Sequence, residues 1–228
     1  FMYTRRPAQW PDRSLVSEPS FVFGGPDACG IVGESPAAWQ LRQQIAFCAA
    51  SDEHTLVHGP SGAGKELVVR AIHARSRRTA APLVARNAVT IPESLMDAEL
   101  FGNLGDYPNP GMPERPGLLG EAHGGALFLD EIGELPHALQ AHLLRVMDSG
   151  EYQRLGEARR RTADFRLIGA TNRGPEALKH DLLARFVHRL HVPGLDERPE
   201  DVPLLARHLV RRLAARSPEL RERFFVGE

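Results

Sequence analysis

Gly59-Pro60-Ser61-Gly62-Ala63-Gly64-Lys65-Glu66 is the stretch that decides how this chain folds. It fits the spacing G-x-x-x-x-G-K and follows the apolar run Thr55-Leu56-Val57-His58. It also opens a segment that sets Val68, Ala71 and Ile72 on one helical face. Strand, glycine-rich turn and helix in that order make a phosphate-binding loop. The glycines let backbone wrap close to an anion, its N–H groups point inward, and the helix N-terminus favours negative charge. Lys65 then carries a point charge toward the outer phosphates of a nucleotide. An ordinary glycine-rich turn needs neither the strand before it nor the helix after it. One position departs from the pattern: Glu66 stands where Ser or Thr commonly holds magnesium.

Outward from this loop, short apolar runs alternate with helical stretches. A helix is expected from near Pro36, after Ser35, through Leu41, Ile45 and Cys48. Strands are expected at Pro82–Ala85, Ala126–Leu129 and Arg166–Ala170, with helices over Pro92–Phe101, from about Pro136, over 175–189 and over 199–216. Near-continuously apolar strands between helices predict an α/β fold, a buried parallel sheet with helices on both faces. Residues 1–29, with Pro7, Pro11, Pro19, Pro26 and the Gly24-Gly25 pair, read as a linker. The core is expected over 30–195 and the beginning of a smaller helical part over 196–228. Two segments break the alternation. Residues 151–164 (EYQRLGEARRRTAD) read as a short charged hairpin. Residues 102–117 (GNLGDYPNPGMPERPG), with four prolines and four glycines, read as a stiff, structureless loop.

Composition narrows the function classes. At 228 residues the chain suits one large domain, and 42% hydrophobic with 25% charged residues is ordinary for a globular protein. No run of about 18 apolar residues is present, and the first residues lack the apolar core of a signal peptide. A cytoplasmic, non-membrane protein is expected. Cys29 and Cys48 cannot build a secreted disulfide framework, and ten histidines form no HExxH pattern, so structural zinc is not expected. A net charge of −1 argues against a generic polyanion binder. Among 28 basic residues only Lys65 and Lys179 are lysines.

Two further strand ends carry chemistry. Ala126–Leu129 delivers Asp130 and Glu131, the arrangement of a Walker B element following a phosphate loop. Asp130, with Glu131 beside it, is the candidate holder of Mg2+, and Glu131 is placed to orient or deprotonate an attacking water. The plain alternative for such a pair is a solvated strand end. Ala170-Thr171 ends in Asn172, which can sense a terminal phosphate or position water, or simply form a turn.

Together these strings resemble the AAA+ ATPase domain of sigma-54-dependent transcriptional activators, the bacterial enhancer-binding proteins. The matching stretches are GIVGESPA, GPSGAGKELVVRAIH, ARNAVTIPESLMDAELFG, GGALFLDEIGELPHALQAHLLRVMDSGEYQRLG, IGATNR and LDERPEDVPLLA, covering about Gly30 to Ala206. The resemblance implies a P-loop AAA+ core followed by a helical lid, with ATP and Mg2+ as cofactors and self-association into a ring, a hexamer being expected. It implies that Asn87 holds the Walker B glutamate until the nucleotide state changes, a turn residue being the plain alternative. It implies that Ile31, Val32 and Gly33 line the adenine, plain core being the alternative for the first two. It makes Asn172 a sensor and the hairpin at 151–164 a protrusion ahead of the sensor strand.

Departures from the family bear on function. The family's GAFTGA loop, which touches the sigma factor, is replaced here by NLGDYPNPGMPERPG, with no Phe-Thr pair. The family sets arginines on both sides of an Asp-Leu pair to reach the neighbouring subunit's γ-phosphate. Arg185 keeps one such finger, while Lys179 stands in for the other and lacks the planar fork. Asp196 also stands where the family usually has arginine. The string carrying the lid's second sensor arginine and a helix-turn-helix are not read in these residues, so a piece of a longer regulator is expected, with no DNA-binding domain in this chain. The function expected is an ATP-binding, ATP-hydrolysing module of a sigma-54-activator-like regulator. The alternative is a nucleotide-gated interaction module with weak turnover, acting on a partner other than sigma-54 polymerase. A P-loop kinase fits less well, since Asn87, Asn172 and the finger region suit a ring ATPase.

Overall fold

The computed structural model describes residues 21–174 and 177–217. The linker reading of residues 1–20 and the lid reading of 218–228 lie outside the described residues, as do Pro175 and Glu176. In chain order the elements are α1 (Pro36–Ala50), β1 (Thr55–His58), α2 (Lys65–Ala74), β2 (Leu83–Asn87), α3 (Met96–Phe101), α4 (Gly117–Glu121) and β3 (Ala126–Asp130). They continue as α5 (His137–Ser149), β4 (Glu151–Tyr152), β5 (Arg161–Thr162), β6 (Arg166–Thr171), α6 (His180–Ala184), β7 (His188–His191) and α7 (Val202–Ala214). The chain divides into a larger unit, residues 45–192, and a smaller one built from the segments on either side of it. No helix among the described residues is long and apolar enough to cross a membrane.

The larger unit is a five-stranded parallel sheet in the order β2-β3-β6-β1-β7. Every residue of β6 is buried, and β3 is buried up to Asp130, which explains the apolar runs Leu167–Ala170 and Ala126–Leu129. Alternation splits the strands between two faces. Leu56, Leu127, Leu129 and Leu167 join Leu100, Leu119, Leu143 and Phe186 in one core. Against β1, β3 and β6 lies α2, with Val68, Val69 and Ile72 buried. The fold is the α/β arrangement expected.

Three expectations change. Residues 175–189 are not one helix: α6 spans only His180–Ala184, and β7 follows. In β7 only Leu190 is buried, because the strand lies at the sheet's edge between polar neighbours and therefore lacks an apolar run. Pro92–Phe101 divides into a single 3-10 turn, Glu93–Leu95, and α3.

The loop at 102–117 is not structureless. Asn103 and Arg115 pair across it with N–H to O=C bonds of 3.1 and 3.0 Å, and Asp106 N–H donates to Met112 O at 2.8 Å. The fully buried Asn103 amide donates to the carbonyls of Leu104 (2.8 Å), Pro113 (2.9 Å) and Tyr107 (3.3 Å). The prolines forbid a long helix or strand, yet a tight turn satisfies the backbone from within. The hairpin at 151–164 is present, with β4 and β5 pairing Glu151 with Thr162 and Tyr152 with Arg161.

In the smaller unit Asp201, fully buried, accepts from Glu34 N (2.7 Å), Ser35 N (2.9 Å) and Ser35 Oγ (2.6 Å). Ser35 Oγ in turn accepts from Ala38 N at 3.1 Å, capping α1. Buried Arg42 donates to Asp27 (3.0 Å), Gly33 O (2.8 Å) and Ile31 O (3.0 Å). Gly33 (φ 146°) admits no side chain, since a Cβ would lie 2.6 Å from Asp201 Oδ2.

Candidate functional site

Parallel pairing brings the carboxyl ends of β2, β3, β6 and β1 to one edge of the sheet, ending in Asn87, Asp130, Thr171 and His58. The glycine-rich turn leaves β1 at that edge. Gly59 is pressed on the chain after β7, where a Cβ would come within 2.3 Å of Val192 O. Gly62 and Gly64 take φ of 76° and 97°, and a Cβ there would meet nothing within 4 Å. Backbone conformation, not crowding, selects these two glycines, and the space over them is open. Lys65 begins α2, is 8% exposed, and folds its ammonium back onto Gly59 O (3.0 Å) and Pro60 O (3.1 Å). Glu66 points away into an exposed ion pair with Arg70 at 2.7 Å.

Asp130 is half-buried. Its Oδ1 accepts from Glu131 N at 3.0 Å and its Oδ2 from Asn87 Nδ2 at 3.3 Å. Burial pushes its pKa up, and the charges of Glu131 and Glu66 push the same way; the Glu131 N–H and the Lys65 ammonium oppose them. Asp130 therefore feels two neighbouring carboxylates and one lysine at this edge. A divalent cation suits such a crowd, since Mg2+ is commonly held by one or two carboxylates together with phosphate oxygens. Among the described residues no cluster of three or more metal-ligating side chains offers a self-sufficient cage.

Glu131 holds a left-handed backbone, φ 51° and ψ 44°, which costs a non-glycine residue roughly 1–2 kcal/mol. Strain of this kind concentrates at functional sites. Glu131 Oε2 accepts from Asn172 N at 3.0 Å, so the end of β6 fixes this carboxylate. The expected partnership differs here. Asn87 contacts Asp130, its register partner on β3, and not Glu131; its own Oδ1 accepts from Val89 N at 2.9 Å.

The remaining expected residues lie elsewhere. Ile31, Val32 and Gly33 belong to the smaller unit, the first two buried. Lys179 precedes α6, and Arg185 ends it. Arg185 comes three residues before His188, which pairs with Thr55 at the start of β1, so it lies toward the opposite end of the sheet from its own phosphate loop. There it forms a two-pronged ion pair with Asp148 of α5, which raises the pKa of Arg185 and lowers that of Asp148.

The hairpin and the proline-rich loop are joined. Leu104 N donates to Leu155 O (3.0 Å), Leu155 N to Gly102 O (2.9 Å), and Tyr107 covers Gly156. Buried Arg154 bridges Glu114 of the loop (2.7 Å) and Glu157 of the hairpin (3.0 Å). Arg161 and Arg154 together draw the Glu157 carboxyl down to about 2. Sequence reasoning also missed Gln140, 1% exposed on α5, which links the turn after Glu131 to the segment before α6. Its signal was a polar residue at a core-facing position, beside Leu139 and one turn before Leu143.

The family model for the sigma-54 interaction domain matches residues 31–195. The transcriptional regulatory protein ZraR of Escherichia coli K12 is 44% identical over 195 residues, 82% of this chain and 44% of that protein. The anaerobic nitric oxide reductase transcription regulator NorR of Aeromonas salmonicida is 40% identical over 195 residues, 82% of this chain and 38% of that protein. The crystal structure of NtrX from Brucella abortus in complex with ATP is 40% identical and superposes with a TM-score of 0.74, covering 81% of this chain and 43% of NtrX. The chain thus spans less than half the length of these relatives.

Proposed function

The chain belongs to the sigma-54 interaction domain family, and from that premise we propose that it binds ATP with Mg2+ and hydrolyses it as one subunit of a cytoplasmic ring, expected to be a hexamer. The observation that carries this reading is the convergence of Lys65, Asp130 and Glu131 on one sheet edge, with Asn172 N–H bonded to Glu131. The phosphate chain of ATP would supply the reacting phosphoryl group and Mg2+ the charge neutralisation. The chain's residues do the rest. Backbone N–H groups from Gly59 to Lys65, with Pro60 contributing only shape, wrap the phosphates. The Lys65 ammonium leaves the carbonyls of Gly59 and Pro60 and turns to a phosphate oxygen. Asp130 accepts the cation, and Asn87 steadies Asp130. Glu131 orients a water and takes its proton, while Asn172 fixes Glu131. Ile31, Val32 and Gly33 line the base. Arg185, with Lys179 as a weaker second charge, serves the neighbouring subunit's site, in keeping with its place at the far end of its own sheet.

Lys65→Ala tests the reading. With the sole cation of the loop removed, affinity for a fluorescent ATP analogue is expected to fall below detection while the circular dichroism spectrum stays unchanged. Parent-like affinity would remove Lys65 from the site and sink the assignment.

A specific feature favours a second reading for the partner. The family's contact loop is replaced by residues 103–117, which are knit around Asn103 and fastened to the hairpin by Arg154. A preformed, bonded loop presents a fixed surface and resists the refolding that a flexible glycine-flanked tip allows. We therefore propose that the chain does not open sigma-54 polymerase by the family's stroke, and acts on another partner through this surface. In an open-complex assay with sigma-54 polymerase and the whole regulator, ATP hydrolysis without promoter opening is the expected result. Opening that disappears when 103–117 is replaced by a glycine-serine linker would overturn it.

A further inference from the structure

We infer that Gln140 is a positioning residue for hydrolysis, tying the turn that follows Glu131 to the arm that carries Lys179 and Arg185. The role rests on the ATPase reading above. The geometry is a two-ended clamp. Gln140 Nε2 donates to Leu135 O at 2.9 Å, and Gln140 Oε1 accepts from Lys179 N at 3.0 Å. Both ends of the amide are used, so the bonds fix its orientation as well as its place. Only 1% of the residue is exposed, and a buried amide without these partners would lose heavily.

Each end of the clamp leads to a different part of the chemistry. Leu135 closes the single 3-10 turn Ile132–Glu134 that begins at the strained Glu131. Gly133 in that turn lies against Ala177, where a Cβ would come within 3.2 Å of the Ala177 Cβ, and near Thr171 Oγ1 at 3.4 Å. Lys179 stands immediately before α6, and Arg185 immediately after it. Two turns further along α5, Asp148 holds the Arg185 guanidinium. One helix therefore grips the finger element at both ends, by a buried amide at the start and an exposed ion pair at the finish. A shift of Glu131 that moves the 132–135 turn pulls on Lys179 through one side chain. The hydrolytic carboxylate of one subunit and the charges it offers its neighbour then move together.

The test uses the full chain with Gln140→Met, which keeps length and loses both bonds, and Gln140→Glu. Affinity for an ATP analogue, kcat from pH 6 to 8.5, and amide hydrogen exchange are measured on each. Gln140→Met is expected to bind the analogue as the parent does and to lose about tenfold or more in kcat, the scale of a small misplacement of reacting groups. Exchange should quicken together in 131–136 and 177–185, with the phosphate loop unchanged. In Gln140→Glu a neutral carboxyl remakes both bonds, donating through its O–H and accepting through its C=O, whereas the anion has no proton for Leu135 O. Its kcat relative to the parent should therefore rise as the pH falls. Glu134, His137 and Lys179 are common to both proteins, so the ratio reads the change made at position 140. Parent-like kcat in Gln140→Met, exchange that quickens in one segment alone, or a pH-independent ratio for Gln140→Glu would each overturn the role. A parent that neither binds nor hydrolyses ATP would remove the functional reading instead, and the exchange measurement would still decide whether the clamp joins the two segments.

Discussion

Arg185→Ala is expected to lower ATP turnover by about 10³–10⁵-fold, the range attributed to arginine fingers supplied in trans, while leaving ATP affinity near that of the parent. The argument starts from where the residue sits. Arg185 lies toward the end of the sheet where β1 and β7 begin, and the phosphate loop leaves the end where β1 finishes. It is therefore badly placed for its own loop, which is what the proposed role in a neighbour's site requires. In the single chain its guanidinium rests on Asp148, with 46% and 42% of the two side chains exposed. An exposed pair of this kind holds the guanidinium only weakly. Release toward a γ-phosphate, with its higher charge and fork-matching oxygens, is favourable. Lys179 cannot replace the finger, because an ammonium makes no bidentate contact. Mixing Arg185→Ala with Lys65→Ala subunits supplies some interfaces with an intact loop facing an intact finger, and two inactive proteins should regain part of the parent rate. Mixed assemblies that form and stay inactive would place Arg185 outside a shared site.

The parts of this protein that could be read from sequence are those in which one local rule dominates. The phosphate loop announces itself because Gly62 and Gly64 need a left-handed backbone that few other residues accept. The central strands announce themselves because both faces are covered and their middle positions are apolar, Leu167 to Ala170 in β6 and Ala126 to Leu129 in β3. β7 does not, since an edge strand with one buried leucine carries almost no hydrophobic signal. The loop at 102–117 misleads for the converse reason. Its prolines and glycines have the composition of irregular chain, whereas its order comes from one asparagine side chain reaching three carbonyls and from an arginine on a different segment. Such long-range satisfaction of polar groups has no sequence period. The partnership of the asparagines is a finer case. Motif order puts Asn87 near the paired carboxylates, but strand register selects which one it touches, and register gives it Asp130. Glu131 instead accepts from the backbone N–H of Asn172.

That backbone contact makes Glu131→Gln the sharpest test of the chemistry. The substitution is expected to bind ATP as tightly as the parent and to turn it over about 10²–10⁴ times more slowly, the usual contribution of a positioned base. Glutamine has the same length, and its amide oxygen can keep the 3.0 Å bond from Asn172 N–H that now ends on Oε2. The strained backbone at φ 51° is unaffected by a change beyond Cγ. What the variant loses is the capacity to accept a proton from water, together with one negative charge beside Asp130. Losing that charge also removes one of the influences that raise the Asp130 pKa, so Asp130 in the variant should stay ionised to lower pH than in the parent. Cation binding should then persist further into the acid range. Single-turnover hydrolysis and titration with an ATP analogue, each at several pH values with Mg2+, separate these effects. Parent-like turnover would take the base role from Glu131. Weakened Mg-dependent binding with a proportionate loss of rate would instead make Glu131 a cation ligand, and the proton would have to go to another group at the sheet edge.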